Sequence, residues 1–222
     1  MVDSLLSKLA FSSILGFSVA TLSAIAHPAR ANSLQASSDC CSGALLIAGI
    51  DGQATIQLND GSVYEGDLVN GKFYGYGTLT RDDGMRYEGG FLNGKYHGKG
   101  TLIEADGTRY EGEFSKGMYD GTGILSSNDG PRYEGDFLAG QYHGQGVLSL
   151  EDGTQYTGGF LEGQYNGKGT LVYGDGNRYI GKFLNGEFNG IGVFILTDGT
   201  RLVAHWENGT RMGYPKTSSS QT

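Results

Sequence analysis

The sequence predicts an all-β chain: a single-layer antiparallel β-solenoid of stacked hairpins with a 23-residue period. Three observations lead there. Tyrosines stand at Tyr64, Tyr87, Tyr110, Tyr133, Tyr156 and Tyr179, always 23 apart, and one more step reaches Leu202 in a degraded copy. A fixed period of this length marks a stacked repeat, in which each unit completes its core only against its neighbours. Within a period, apolar and polar residues alternate, the signature of half-buried strands. The 40 glycines, against only 3 prolines, fall at fixed places in the period, which favours ordered turns over low complexity.

Residues 1–31 stand apart. Lys8 precedes 18 uncharged residues, Leu9 to Ala26, and small residues follow, the layout of a secretory signal peptide. Ala29, Arg30 and Ala31 give a cleavage site before Asn32; Ala24 to Ala26 give an alternative before His27. The competing reading is an uncleaved membrane anchor, since the run is just long enough to span a bilayer. A secreted or periplasmic location is the expectation. Loss of residues 1–31 removes Lys8, Arg30 and Asp3 from totals of 16 basic and 24 acidic side chains. The remainder is 14 against 23, a net of −9. Nucleic acid and anionic membranes repel such a chain, so no nucleic-acid partner is expected, and membrane contact only if the N-terminal segment is retained.

Residues 32–51 read as a linker, or as a degenerate first strand, because one period before Tyr64 lies Cys41 in "CSGALL". Cys40 and Cys41 are adjacent and rarely bridge each other without strain, so no disulfide framework is expected. The repeat array runs from 52 to 214, with six full repeats from about 61 to 198. "GQATIQLNDG" (Gly52 to Gly61) supplies the second half of a repeat, with Ala54 and Ile56 in the Gly and Leu positions.

In the unit 84–106, Met85 to Leu92 form a first strand with Tyr87, Gly89 and Phe91 on one face. "NGKYHG" follows as an Asn-Gly loop, and Lys99 to Ala105 form the second strand. Asp106 and Gly107 close the unit with a dipeptide favoured in type I′ turns. The glycines Gly89, Gly98 and Gly100 leave room for rings over bare backbone. The last copy puts Leu202, Ala204 and Trp206 for Tyr, Gly and Phe, and Pro215 then blocks a ladder bond; it reads as a cap. Residues 215–222 read as a disordered tail.

These residues carry a resemblance. The pattern Y-E-G-x-F-x-N-G-x-x-x-G-x-G-T-L resembles the MORN (membrane occupation and recognition nexus) repeat over residues 52–213. The chain carries Phe91, Phe114, Phe137, Phe160 and Phe183 where the family often has Trp; only Trp206 keeps it. The resemblance implies a β-hairpin scaffold for protein interaction, with self-association in several members, here a homodimer through the C-terminal repeats. Phospholipid binding is proposed for the family. Many members carry a basic residue where this chain has Tyr96, Tyr119, Tyr142, Tyr165 and Phe188, and losing that charge argues against lipid.

The candidate binding residues are those five loop aromatics together with Tyr87, Tyr110, Tyr133, Tyr156 and Tyr179. A single-layer sheet leaves one flank of its ring row open, a surface for an extended peptide, a helix or a glycan. The leading expectation is an exported, non-catalytic scaffold for an unidentified protein partner; the alternative is a carbohydrate or cell-wall binding module. The Arg and Glu residues flanking each tyrosine read as a solvated ladder, with a charged docking face as the alternative. One Asp per repeat before glycine reads as a turn residue. His97 and His143 lie roughly 19 Å apart across four strand spacings, too far to share a metal. No nucleophile elbow, phosphate loop or zinc-helix motif is present, so neither enzyme activity nor a cofactor is expected.

Overall fold

The computed structural model describes residues 51–128 and 130–212. The leader, the linker with Cys40 and Cys41, and the tail from Pro215 lie outside them. The described chain is one antiparallel sheet whose strands pair in strict sequence order. The half-repeat gives β1 (Gly52–Gln57). Six hairpins follow: β2 (Val63–Val69) with β3 (Lys72–Thr80), β4 (Arg86–Leu92) with β5 (Lys95–Ile103), and β6 (Arg109–Ser115) with β7 (Met118–Ser126). Then come β8 (Arg132–Leu138) with β9 (Gln141–Ser149), β10 (Gln155–Leu161) with β11 (Gln164–Val172), and β12 (Arg178–Leu184) with β13 (Glu187–Ile195). The degraded copy forms β14 (Arg201–Glu207) and the short β15 (Thr210–Met212).

Asn93 and Gly94 both have positive φ, 52° and 78°, which makes a two-residue turn of the I′ type. Leu92 therefore pairs directly with Lys95, and the second strand begins four residues earlier than the sequence suggested. Tyr96 is a strand residue opposite Phe91, not a loop residue. The Asp106–Gly107 turn is of the other kind. Gly107 N–H donates to the Glu104 carbonyl (2.9 Å) and only the glycine has positive φ, 84°: a type I turn closed by a left-handed glycine. The aspartate works as a turn residue there, its Oδ1 accepting from Thr108 N–H at 2.8 Å.

The first strand of each of the six hairpins carries an irregularity at the glycine two residues after its tyrosine, in β4 between Gly89 and Phe91. An extra residue at such a point bends the strand. Successive repeats are also tied at their turns: Gly94 N–H donates to the Phe73 carbonyl, Gly117 to Tyr96 and Gly140 to Tyr119, each within 2.9 Å.

Candidate functional site

The ring row comes first, because the sequence placed the binding site there. Tyr87 lies over Gly89 and Gly100, where an added Cβ would stand 2.6 and 2.5 Å from its Oη. That hydroxyl donates to the Gly90 carbonyl at 2.8 Å, and Tyr110 and Tyr133 repeat the bond to Glu113 and Asp136 at 2.8 Å. Tyr96 stacks on the Tyr87 ring with centroids 3.8 Å apart, and Phe114 of the next repeat meets Tyr87 edge-on at 5.1 Å. The same trio recurs as Tyr110, Tyr119 and Phe137, and as Tyr133, Tyr142 and Phe160. Stacked and edge-to-face pairs of this kind contribute about 0.5–1.5 kcal/mol beyond area burial.

All ten candidate rings are consequently core. Tyr87, Tyr110, Tyr133, Tyr156 and Tyr179 are 0% exposed, and Tyr96, Tyr119, Tyr142, Tyr165 and Phe188 are 2–6% exposed. The expected open flank is not found at these positions, because the bent strands let each tyrosine lie flat on glycine backbone while the second-strand ring covers it. Gly98 plays a different part from the one expected: nothing lies within 4 Å of an added Cβ, and its φ of +67° is what requires glycine. Burial pushes the Tyr142 and Tyr179 hydroxyls up to about 12.

The surface left open is the opposite face. An open trough of about 920 Å³ crosses from Tyr76 to Gly135. Its central row runs Glu88, Thr101, Glu111, Ile124, Glu134, one residue from each of β4 to β8 in direct register. At about 4.8 Å per strand that row is roughly 19 Å long. Lys99 pairs in register with Glu113 beside it, and glycine backbone at Gly100, Gly112, Gly123 and Gly135 leaves the floor low.

The charges here pair along a strand rather than across the sheet. Arg86 meets Glu88 at 2.6 Å, Arg109 meets Glu111 at 2.6 Å, and Arg132 meets Glu134 at 2.7 Å. Tyr76 Oη donates to Glu88 Oε1 at 2.9 Å. That bond, then the Arg86 guanidinium, hold the Glu88 carboxyl below its ordinary range, and the carboxylate raises the Tyr76 hydroxyl. Thr122 Oγ1 donates to Glu113 Oε1 at 3.2 Å. Such a row offers acceptors and held guanidinium donors at regular spacing, suited to a polar extended chain. The sequence held the signal, in Arg and Glu two apart on the face away from the rings, but not which face stays open.

Among the described residues no group of His, Cys, Asp and Glu could hold a metal ion, and no helix is long and apolar enough to cross a membrane. A family model described as MORN repeat matches six consecutive segments: 64–86, 87–109, 110–132, 133–155, 156–178 and 179–201. No curated protein matches. Among solved structures, the chain is similar to the TCP domain of SAS-4 from Drosophila melanogaster, in complex with a proline-rich motif of Ana2. Identity is 13% over 72% of this chain and 88% of that one, with a TM-score of 0.43. A catalytically inactive virginiamycin B lyase from Staphylococcus aureus, with quinupristin, matches at 12% identity over 73% of this chain and 58% of that one, with a TM-score of 0.20. Neither likeness is close enough to carry meaning for the fold.

Proposed function

The chain belongs to the MORN-repeat family, and on that premise we propose that it is a non-catalytic, exported scaffold that docks a protein partner in the trough on the charged face. One observation carries this reading: the ten candidate rings are buried in packing, while an open trough of about 920 Å³ presents hydrogen-bonding side chains in strand register. An extended polar segment can lie across such a row and take bonds at successive strands. The repetition argues against catalysis, since a carboxyl pair that does acid–base work needs two different environments. Here Glu111 and Glu134 sit in the same Arg-paired setting. Export rests on the leader-like residues 1–31. The carbohydrate alternative relied on exposed rings for sugar stacking, and nothing at the ten ring positions favours it.

The test is a crosslinked pull-down from the exported fraction with the full chain as bait. A second bait carries Thr101→Arg and Ile124→Arg, which fill the trough without touching the rings, with folding checked by circular dichroism. A discrete protein captured by the first bait and lost by the second supports the trough. Equal recovery by both sinks it, and recovery of glycan alone transfers the function to the carbohydrate reading.

A further inference from the structure

The hairpin tips carry a charge order that neither the core nor the trough uses. Seven turns lie along one edge of the sheet, at residues 69–72, 92–95, 115–118, 138–141, 161–164, 184–187 and 207–210. The first three each carry one lysine, Lys72, Lys95 and Lys116. The fourth, 138–141, carries no charged residue of its own, and its Ala139 N–H donates to the Asp120 carboxylate at 3.3 Å. The last three each carry one glutamate: Glu162, Glu187 and Glu207. None of the six joins an ion pair among the described residues. The same edge exposes an apolar side chain at most tips: Val69, Leu92, Leu138, Leu161 and Leu184 are 38–51% exposed. Bonds from the turn glycines of the second to seventh tips to the preceding repeat, and from Asn70 N–H to Asp51 Oδ1 at the first, hold the tips in place, at about 9.6 Å per two-strand step.

We infer that this edge is a self-complementary interface for a second copy of the chain, with the two copies antiparallel and the twofold axis at Ala139 and Gly140. A twofold operation there carries the first tip onto the seventh, the second onto the sixth and the third onto the fifth. Every lysine then faces a glutamate, and the exposed leucines supply apolar contact between the pairs. An isologous interface requires this inversion of charge about its centre, because one patch must complement itself. A parallel arrangement sets lysine against lysine. An unrelated partner imposes no such symmetry on the sequence. The interface uses none of the side chains that line the trough, so dimer and docking site are independent.

The test is sedimentation equilibrium of the full chain at low and high salt. The wild type is a dimer that weakens as salt rises. One variant carries Lys72→Glu, Lys95→Glu and Lys116→Glu; another carries Glu162→Lys, Glu187→Lys and Glu207→Lys. Each alone binds itself roughly a hundredfold more weakly, from six exposed pairs each contributing a factor of about two. Mixed together, the two variants form a heterodimer, which also shows that both are folded. A wild type that stays monomeric at low salt overturns the inference. So does a dimer that either variant retains, as an end-to-end contact gives, or a mixture that fails to associate.

Discussion

The interior hairpin β8–β9 and the terminal copy β14–β15 share a template, and three of their differences fall on the ring face of the first strand. Tyr133, Gly135 and Phe137 in the first are Leu202, Ala204 and Trp206 in the second. In the interior, the Tyr133 ring presses on Gly146, where a Cβ would stand 2.5 Å from its hydroxyl. At the end, Leu202 is only half-buried, yet Ala204 fits the sheet and is buried. Ala54 in β1 likewise occupies a position that is glycine in later repeats, and it pairs with Gly66 without disturbing the register. The difference teaches that the strand glycines answer to the tyrosine above them, not to the sheet itself. Where the ring is missing, alanine is accepted.

The largest effect comes from breaking that coupling. Tyr133→Leu removes a stacked ring and should cost about 2–3 kcal/mol. Gly146→Ala alone should cost roughly 1–3 kcal/mol by overpacking. In the Tyr133→Leu background, Gly146→Ala should add less than about 0.5 kcal/mol, a coupling that a double-mutant cycle on urea midpoints measures. Equal costs in both backgrounds would mean that backbone geometry, not the ring, selects glycine.

Alkaline pH comes next in size, because the interior depends on neutral tyrosines that the last copy lacks. Burial raises Tyr142 and Tyr179 from the ordinary value of 10.0 to about 12. Above pH 10 the unfolded chain releases protons that the folded chain still holds. Stability is therefore complete below pH 10 and falls as pH rises through about 12. Thermal melts by circular dichroism across that window check it, and a flat melting temperature to pH 12 would refute it.

The smallest effect reverses the comparison. At the tips the terminal copy is the better built, with Asn208 in the left-handed conformation at φ 48°, while the interior has Ala139 at φ 49°. Asparagine adopts that conformation more readily than alanine, for which it costs roughly 1–2 kcal/mol. Ala139→Asn should stabilise the chain by about 0.5–1 kcal/mol, read as a raised urea midpoint.

Much of this architecture was legible in the residues. The period fixed the hairpins, the alternation put Tyr87, Gly89 and Phe91 on one face, and glycines beneath rings were readable from their register. The family resemblance also held. What was not legible is the bend. Alternation is the same in a flat strand and a bent one, so the pattern could not say that Tyr96 would close over Tyr87 and seal the ring face. Sealing one face left the other to carry the trough, and the candidate site moved with it from the aromatics to the Arg–Glu rows. The turn at Asp106 was misjudged for a related reason. Asp-Gly suits two turn types, and the choice depends on loop length, which the pairing of Glu104 with Thr108 decides.

The consecutive strand order has a kinetic consequence. Each strand bonds only to those adjacent to it in sequence, so no contact waits for a distant segment to arrive. Chains built from such local contacts lose little loop entropy before the first pairing rewards them, and they fold fast for all-β proteins. Any hairpin can serve as the nucleus, and growth proceeds outward one strand at a time. Lengthening the array therefore adds steps of the same small height rather than raising the barrier, and the time to fold is set by the first hairpin to form.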